Sequence, residues 1–177
     1  LVRLGDRDLV IKRYNIKSPM HALSRAFRRS RAWVSWSNAH RMEFLGIPSL
    51  KPIALIENRL GPLRSSAYLI TEYLAGPDAL SLREIENPNG ETEALIGILH
   101  ELSDSRISHG DLKATNFVMT STGPVMIDLD SMREHKDEAS FEVAFRNDLE
   151  RFMANWHDAP NLRDRFLRLM AGLNSQY

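Results

Sequence analysis

The sequence contains no cysteine, which excludes a disulfide framework, a thiol nucleophile and a thiolate zinc site and allows a reducing compartment. No apolar run approaches the roughly 18 residues that a membrane-spanning helix needs, and the first residues lack the pattern of a signal peptide. Repeats and low-complexity tracts are also missing, and the 8 prolines and 9 glycines are scattered. What remains is a chain of 177 residues, 43% hydrophobic and 26% charged. That is enough to bury one sizeable core, whole or divided between two lobes.

A net charge of zero conceals an asymmetry. Through Arg64 the chain carries 13 Lys and Arg against 4 Asp and Glu, and the remainder carries 10 against 19. A basic first half suits phosphates and a polyanionic partner; the acidic second half holds the candidate metal ligands. Many of these charges are expected simply to face solvent.

The densest pattern is Ser108-His109-Gly110-Asp111-Leu112-Lys113-Ala114-Thr115-Asn116-Phe117, followed by Val125-Met126-Ile127-Asp128-Leu129-Asp130. An Asp, a Lys two residues on, an Asn five residues on and a further Asp after a short hairpin can surround one Mg·ATP. Phosphoryl transfer needs a carboxylate facing the acceptor hydroxyl, cations for the charge spreading over phosphate oxygens, and oxygen ligands for the metal. Asp111 is the expected base, with Lys113 reaching the transferring phosphate. Asn116 and Asp128 are the expected Mg²⁺ ligands, since that hard ion takes a few protein oxygens beside water and phosphate. Between them Phe117-Val118-Met119, a Thr120 to Gly123 turn and Val125-Met126-Ile127 read as a β-hairpin. Asp130 is either a second metal ligand or a turn-forming acid.

These segments resemble a protein-kinase-like fold, and their wording is most similar to the bacterial lipopolysaccharide kinase family, which phosphorylates Kdo or heptose sugars of the inner core. The resemblance rests on His109 to Phe117, on Ile127-Asp128-Leu129-Asp130 in place of Asp-Phe-Gly, and on Ser30-Arg31-Ala32-Trp33 with Gly46-Ile47-Pro48. It covers nearly the whole chain. It implies an α+β, two-lobed fold with a small antiparallel-sheet N-lobe, 1–74, and a compact, mainly helical C-lobe, 75–177. It also implies ATP and Mg²⁺, a lipopolysaccharide inner-core acceptor, and a cytoplasmic location with peripheral contact at the inner membrane. In such folds Lys12 holds the α and β phosphates, and Glu72-Tyr73-Leu74 is the hinge whose backbone meets adenine, so Glu72 and Leu74 join the expected nucleotide contacts. His109 braces the loop, and Asp148 either anchors its backbone or lies on a helix surface.

The chain departs from the kinase pattern in two places. Ser35 stands where a helical glutamate would pair with Lys12, so either Glu43 substitutes or another group, such as Asp128, holds the lysine. No Gly-x-Gly-x-x-Gly precedes Lys12, and the first strand with its phosphate-covering loop is expected to lie outside this sequence. Both departures leave a pseudokinase or scaffold module as an alternative, beside a phosphotransferase for a protein or small molecule.

Elsewhere, Leu1 to Leu4 and Leu9 to Tyr14 form an expected hairpin, and 53–56 and 67–71 two further strands joined through Gly61-Pro62. His21 to Leu45 reads as a helix in which Trp33, Trp36, His40 and Phe44 recur at three or four residues and Gly46 ends the run, with the Trp residues expected as core anchors on one face. Ser81 to Glu86, Glu91 to Leu102, Phe141 to Trp156 and Leu162 to Leu173 read as further helices. His100 is expected to be packed or at the surface. Arg25, Arg28, Arg29 and Arg31 form a basic cluster suited to phosphate or carboxylate, or simply a solvated helix start. It lacks the interleaved aromatics of a nucleic-acid platform.

Overall fold

The computed structural model of the protein describes residues 1–15, 29–60 and 63–174. The chain divides into two compact units, Leu1–Leu74 with Asp128–Ser131, and Ala75–Ile127 with Met132–Tyr177. Among the described residues no helix is long and apolar enough to cross a membrane.

In the first unit β1 (Val2–Leu4), β2 (Arg7–Asn15), β3 (Pro52–Leu60) and β4 (Leu63–Glu72) form an antiparallel sheet in the order β1-β2-β4-β3. Gly5, at φ 61°, turns β1 into β2, a left-handed conformation that glycine adopts without a Cβ penalty. The resulting register sets Val2 opposite Leu9. β4 is central, and Ala67, Leu69 and Thr71 point inward at the period of two expected of a half-covered strand. The expected Gly61-Pro62 turn lies outside the described residues.

Among the described residues one helix, α1 (Arg31–Leu45), covers this sheet. Its start is fixed by Ser30, whose hydroxyl accepts from Trp33 N–H at 2.8 Å, and its end by Gly46 in the left-handed region at φ 75°. The expected helix from His21 is therefore shorter on the described side, and residues 16–28 lie outside the described residues. Its period is as expected, but its buried face differs. Ala32, Ser35, Asn38, Ala39 and Met42 are buried, whereas His40 is exposed and Phe44 is 89% exposed. Close approach of a helix to a sheet selects small side chains, and Ala32 accordingly meets Ala67 and Leu69, with Tyr14, Trp36 and Leu55 closing around them. Trp33 is only half-buried and carries the Arg29 guanidinium 3.8 Å above its ring.

Next to Ala75, where the second unit begins, Gly76 takes φ 151°. A Cβ there would lie 2.1 Å from the carbonyl oxygen of Met119, so the backbone passes where only glycine fits. Met119 N–H donates to Pro77 O at 2.8 Å beside it. A short 3₁₀ helix, Ala79–Glu84, is capped by the Asp78 carboxylate. It leads to α2 (Asn89–Asp104), which buries Leu95, Ile98, Leu99 and Leu102 as its periodicity requires. β5 (Ile107–Ser108) pairs with β8 (Arg133–Glu134), and β6 (Phe117–Thr120) with β7 (Gly123–Met126).

Two helices complete the unit, α3 (Glu138–Ala154) and α4 (Pro160–Asn174). Phe117, Phe152, Trp156 and Phe166 are fully buried. Their rings meet edge-on or tilted, with Phe152 6.2 Å from Phe117 and 5.1 Å from Phe166 between centroids. Each such ring stabilises the unit by about 2 kcal/mol on burial. The first strand after the Asp111 loop is thereby packed onto α3, which supplies the loop's supports.

Candidate active site

Within the second unit the loop from Ser108 to Asn116 is held by groups far away in sequence. The carboxylate of Asp148 on α3 is 1% exposed, and its Oδ2 accepts from His109 N–H at 2.6 Å and Gly110 N–H at 3.0 Å. Gly110 takes φ 79°, which aims both amides at one acceptor. Two charge-assisted bonds to a buried anion make this a rigid mount. His109 Nε2 lies 3.2 Å from Ile127 O, immediately before Asp128. The bracing expected of His109 and Asp148 is the geometry observed.

Asp111 stands on that mount. Lys113 Nζ approaches both of its oxygens, at 2.8 Å and 2.9 Å, and Arg151 Nε lies 3.8 Å away. The Lys113 hydrogen bond holds the Asp111 carboxyl below its ordinary range, against a smaller desolvation effect, and the charges of Lys113, Arg151 and His109 add to it. Asp111 is thus an ionised acceptor suited to orienting a hydroxyl. Asn116 Nδ2 donates to Asp111 O at 2.8 Å, which fixes the amide and leaves its carbonyl oxygen to act as a ligand.

In the first unit Lys12 Nζ donates to Asp128 Oδ1 at 2.5 Å. Asp128 takes φ 59°, a left-handed conformation tolerated best by short polar side chains. The expected alternative for Lys12 is thereby resolved in favour of Asp128. Glu43 is exposed and meets His40 at 3.4 Å, and Ser35 is buried with its hydroxyl unpartnered. Burial pulls the Lys12 pKa down. The Asp128 hydrogen bond and the charges of Tyr14, Asp128 and Asp130 outweigh that and raise it above its ordinary value.

Arg31 does not stand free as part of a basic patch: its guanidinium binds Asp130 Oδ1 at 2.9 Å. Arg25 and Arg28 lie outside the described residues. Asn38 donates to Leu129 O at 2.9 Å, tying α1 to the turn that carries both acids. At the expected hinge, Glu72 N–H donates to Lys51 O and Tyr73 N–H to Asp8 O; Leu74 ends the unit's first segment.

The structure therefore groups Lys12 with Asp128 in one unit, and Asp111, Lys113 and Asn116 in the other. Asp128 in the first unit and Asn116 in the second each carry a hard oxygen donor of the kind Mg²⁺ accepts, so the chemistry of each residue suits the implied metal. Sequence reasoning missed Arg151, which donates to Gly110 O at 3.1 Å. Its position three residues after Asp148 on one helix face was the available sign. It also missed His135, whose ring lies 2.7 Å from Ser108 Oγ and 3.1 Å from Ser140 Oγ. No sequence spacing indicates that relay.

A small antiparallel-sheet unit and a mainly helical unit, with an Asp-x-Lys-x-x-Asn loop, define a protein-kinase-like fold, and similar solved structures agree. The chain is similar to aminoglycoside-3'-phosphotransferase of type VIII, at TM-score 0.67 and 16% identity, over 97% of this chain and 80% of that one. WaaP in complex with acyl carrier protein gives 0.56 and 17%, over 98% and 79%. The Rio2 kinase-ADP/Mg²⁺-phosphoaspartate complex from Chaetomium thermophilum gives 0.55 and 16%, over 76% and 42%. No curated protein sequence matches the chain. The model of the lipopolysaccharide kinase (Kdo/WaaP) family matches residues 3–170. The chain belongs to that family, and its class of chemistry is phosphotransfer.

Proposed function

We propose that the protein transfers the γ-phosphoryl group of Mg·ATP to a sugar hydroxyl, on Kdo or heptose, of the lipopolysaccharide inner core. The observation that carries this reading is the Asp111 carboxylate, ionised, gripped by Lys113 and set on a buried mount within a chain of this family. Asp111 orients the acceptor hydroxyl and takes its proton late, as suits a weak base. Lys113 balances that carboxylate and lies within two residues of it, where it can follow charge onto a phosphate oxygen. Lys12 holds phosphate oxygens, Asn116 and Asp128 hold the metal, and the backbone at Glu72 and Leu74 meets the adenine. Mg²⁺, when bound, neutralises charge spreading over the phosphate oxygens.

The acceptor is membrane-borne, so the reading places the protein in the cytoplasm with peripheral contact at the inner membrane. The excess of cations before residue 65 supports such contact. The test is transfer of labelled γ-phosphate to dephosphorylated inner-core lipopolysaccharide, with Asp111→Asn as control. Label on the sugar that the variant abolishes is the expected result. Nucleotide binding without transfer to any inner-core acceptor would move the assignment to another hydroxyl substrate or to a pseudokinase.

A further inference from the structure

Lys12 has two carboxylates within reach, and they are not equivalent. Asp128 Oδ1 accepts its hydrogen bond at 2.5 Å, whereas Asp130 Oδ2 lies 3.7 Å away. The Asp130 side chain is 2% exposed. Its Oδ1 is taken by Arg31 at 2.9 Å, with Ser131 Oγ 3.3 Å away. Its Oδ2 is buried without a hydrogen-bond partner. A buried carboxylate oxygen left without a donor is costly, and this one faces a lysine already held elsewhere.

A second observation concerns α1. Its one acid, Glu43, is at the surface with His40, and the buried face carries Ser35. α1 therefore offers Lys12 no carboxylate. A lysine that must present its ammonium to phosphate needs a fixed anion behind it, and Asp128 cannot remain that anion once its oxygens serve a metal. Resting on the reading above, we infer that Asp130 is the positioning residue of Lys12, receiving the ammonium when Asp128 turns to Mg²⁺. Arg31 and Ser131 hold Asp130 in place, so that Oδ2 is the atom that takes over. The turn following Ile127 thus does the work that the helix leaves undone, using two acids two residues apart.

The exchange has a signature that a merely structural role lacks. ADP affinity is measured by calorimetry on the native chain, with Mg²⁺ and with chelator, then on Asp130→Asn, Lys12→Met and the double variant. Melting temperature is recorded for each. Asp130→Asn keeps an oxygen for Arg31 and is expected to bind Mg·ADP about tenfold more weakly, with metal-free ADP affinity within about twofold of native. In the Lys12→Met background the tenfold penalty should vanish, because the two residues act as one. Equal weakening with and without metal, or a penalty that persists without Lys12, would overturn the inference and leave the kinase reading standing. A native chain that binds no nucleotide would remove both.

Discussion

The two charged clusters contrast in how they are built. In the first unit, Lys12 and Arg31 reach acids 116 and 99 residues away in the chain, and Asp130 among them is all but sealed from water. In the second, Asp111 and Lys113 are two residues apart, and about a third of the Asp111 side chain is open. The first cluster exists only when the sheet, α1 and the turn at Asp128 are folded together. The second is local, and the fold's contribution is the mount beneath it. Long-range burial fixes where charge stands; a local pair in partial solvent tunes a group that has to meet a substrate.

Four substitutions and a pH profile would break or sharpen that contrast. The largest effect is expected from Asp111→Asn, with a loss of about 10²- to 10⁴-fold in kcat, read by γ-phosphate transfer. Its unfolding free energy should change little, since the residue is local and partly exposed. Asp148→Ala should act on stability first. It strands the His109 and Gly110 amides and is expected to cost about 3 kcal/mol in urea unfolding, with activity falling because the loop loses its mount.

Lys113→Met tests the local pair through pH. The Asp111 carboxyl lies below its ordinary value, so the pairing is intact above that ordinary range and is lost as pH falls through the depressed folded value. The acidic limb of kcat/KM should therefore rise towards the ordinary carboxylate range in the variant. An unmoved limb would remove Lys113 as the cause. Phe44→Ser is expected to have the smallest effect, within about 0.5 kcal/mol, because that ring is 89% exposed. A large loss would mean that this face of α1 is covered in solution.

What was legible in the sequence follows the same division. The hairpin from Phe117 to Met126 and the apolar stripe of α2 could be read because each element's period and turn residues agree locally. The loop chemistry was legible for the same reason, its residues lying within nine positions. The buried face of α1 was legible only in part: Trp36 does close against the sheet, but His40 and Phe44 at the same spacing face outward, while alanine and serine, uninformative alone, were what the sheet could accept. The Arg31–Asp130 contact was hidden, because pairing across a hundred residues is decided by packing rather than by spacing. Arg151 left a sign in its spacing from Asp148, but its partner, the Gly110 carbonyl, did not.

Gly76 gives the fold an unforgiving letter. In a complete scan of single substitutions the column at 76 should be almost empty, since even alanine collides with the Met119 carbonyl. Gly97, with open space around an added methyl, should accept alanine and gain from it as a helix former. A variant library that treats the two glycines alike would therefore mistake a backbone crossing for a tolerant surface.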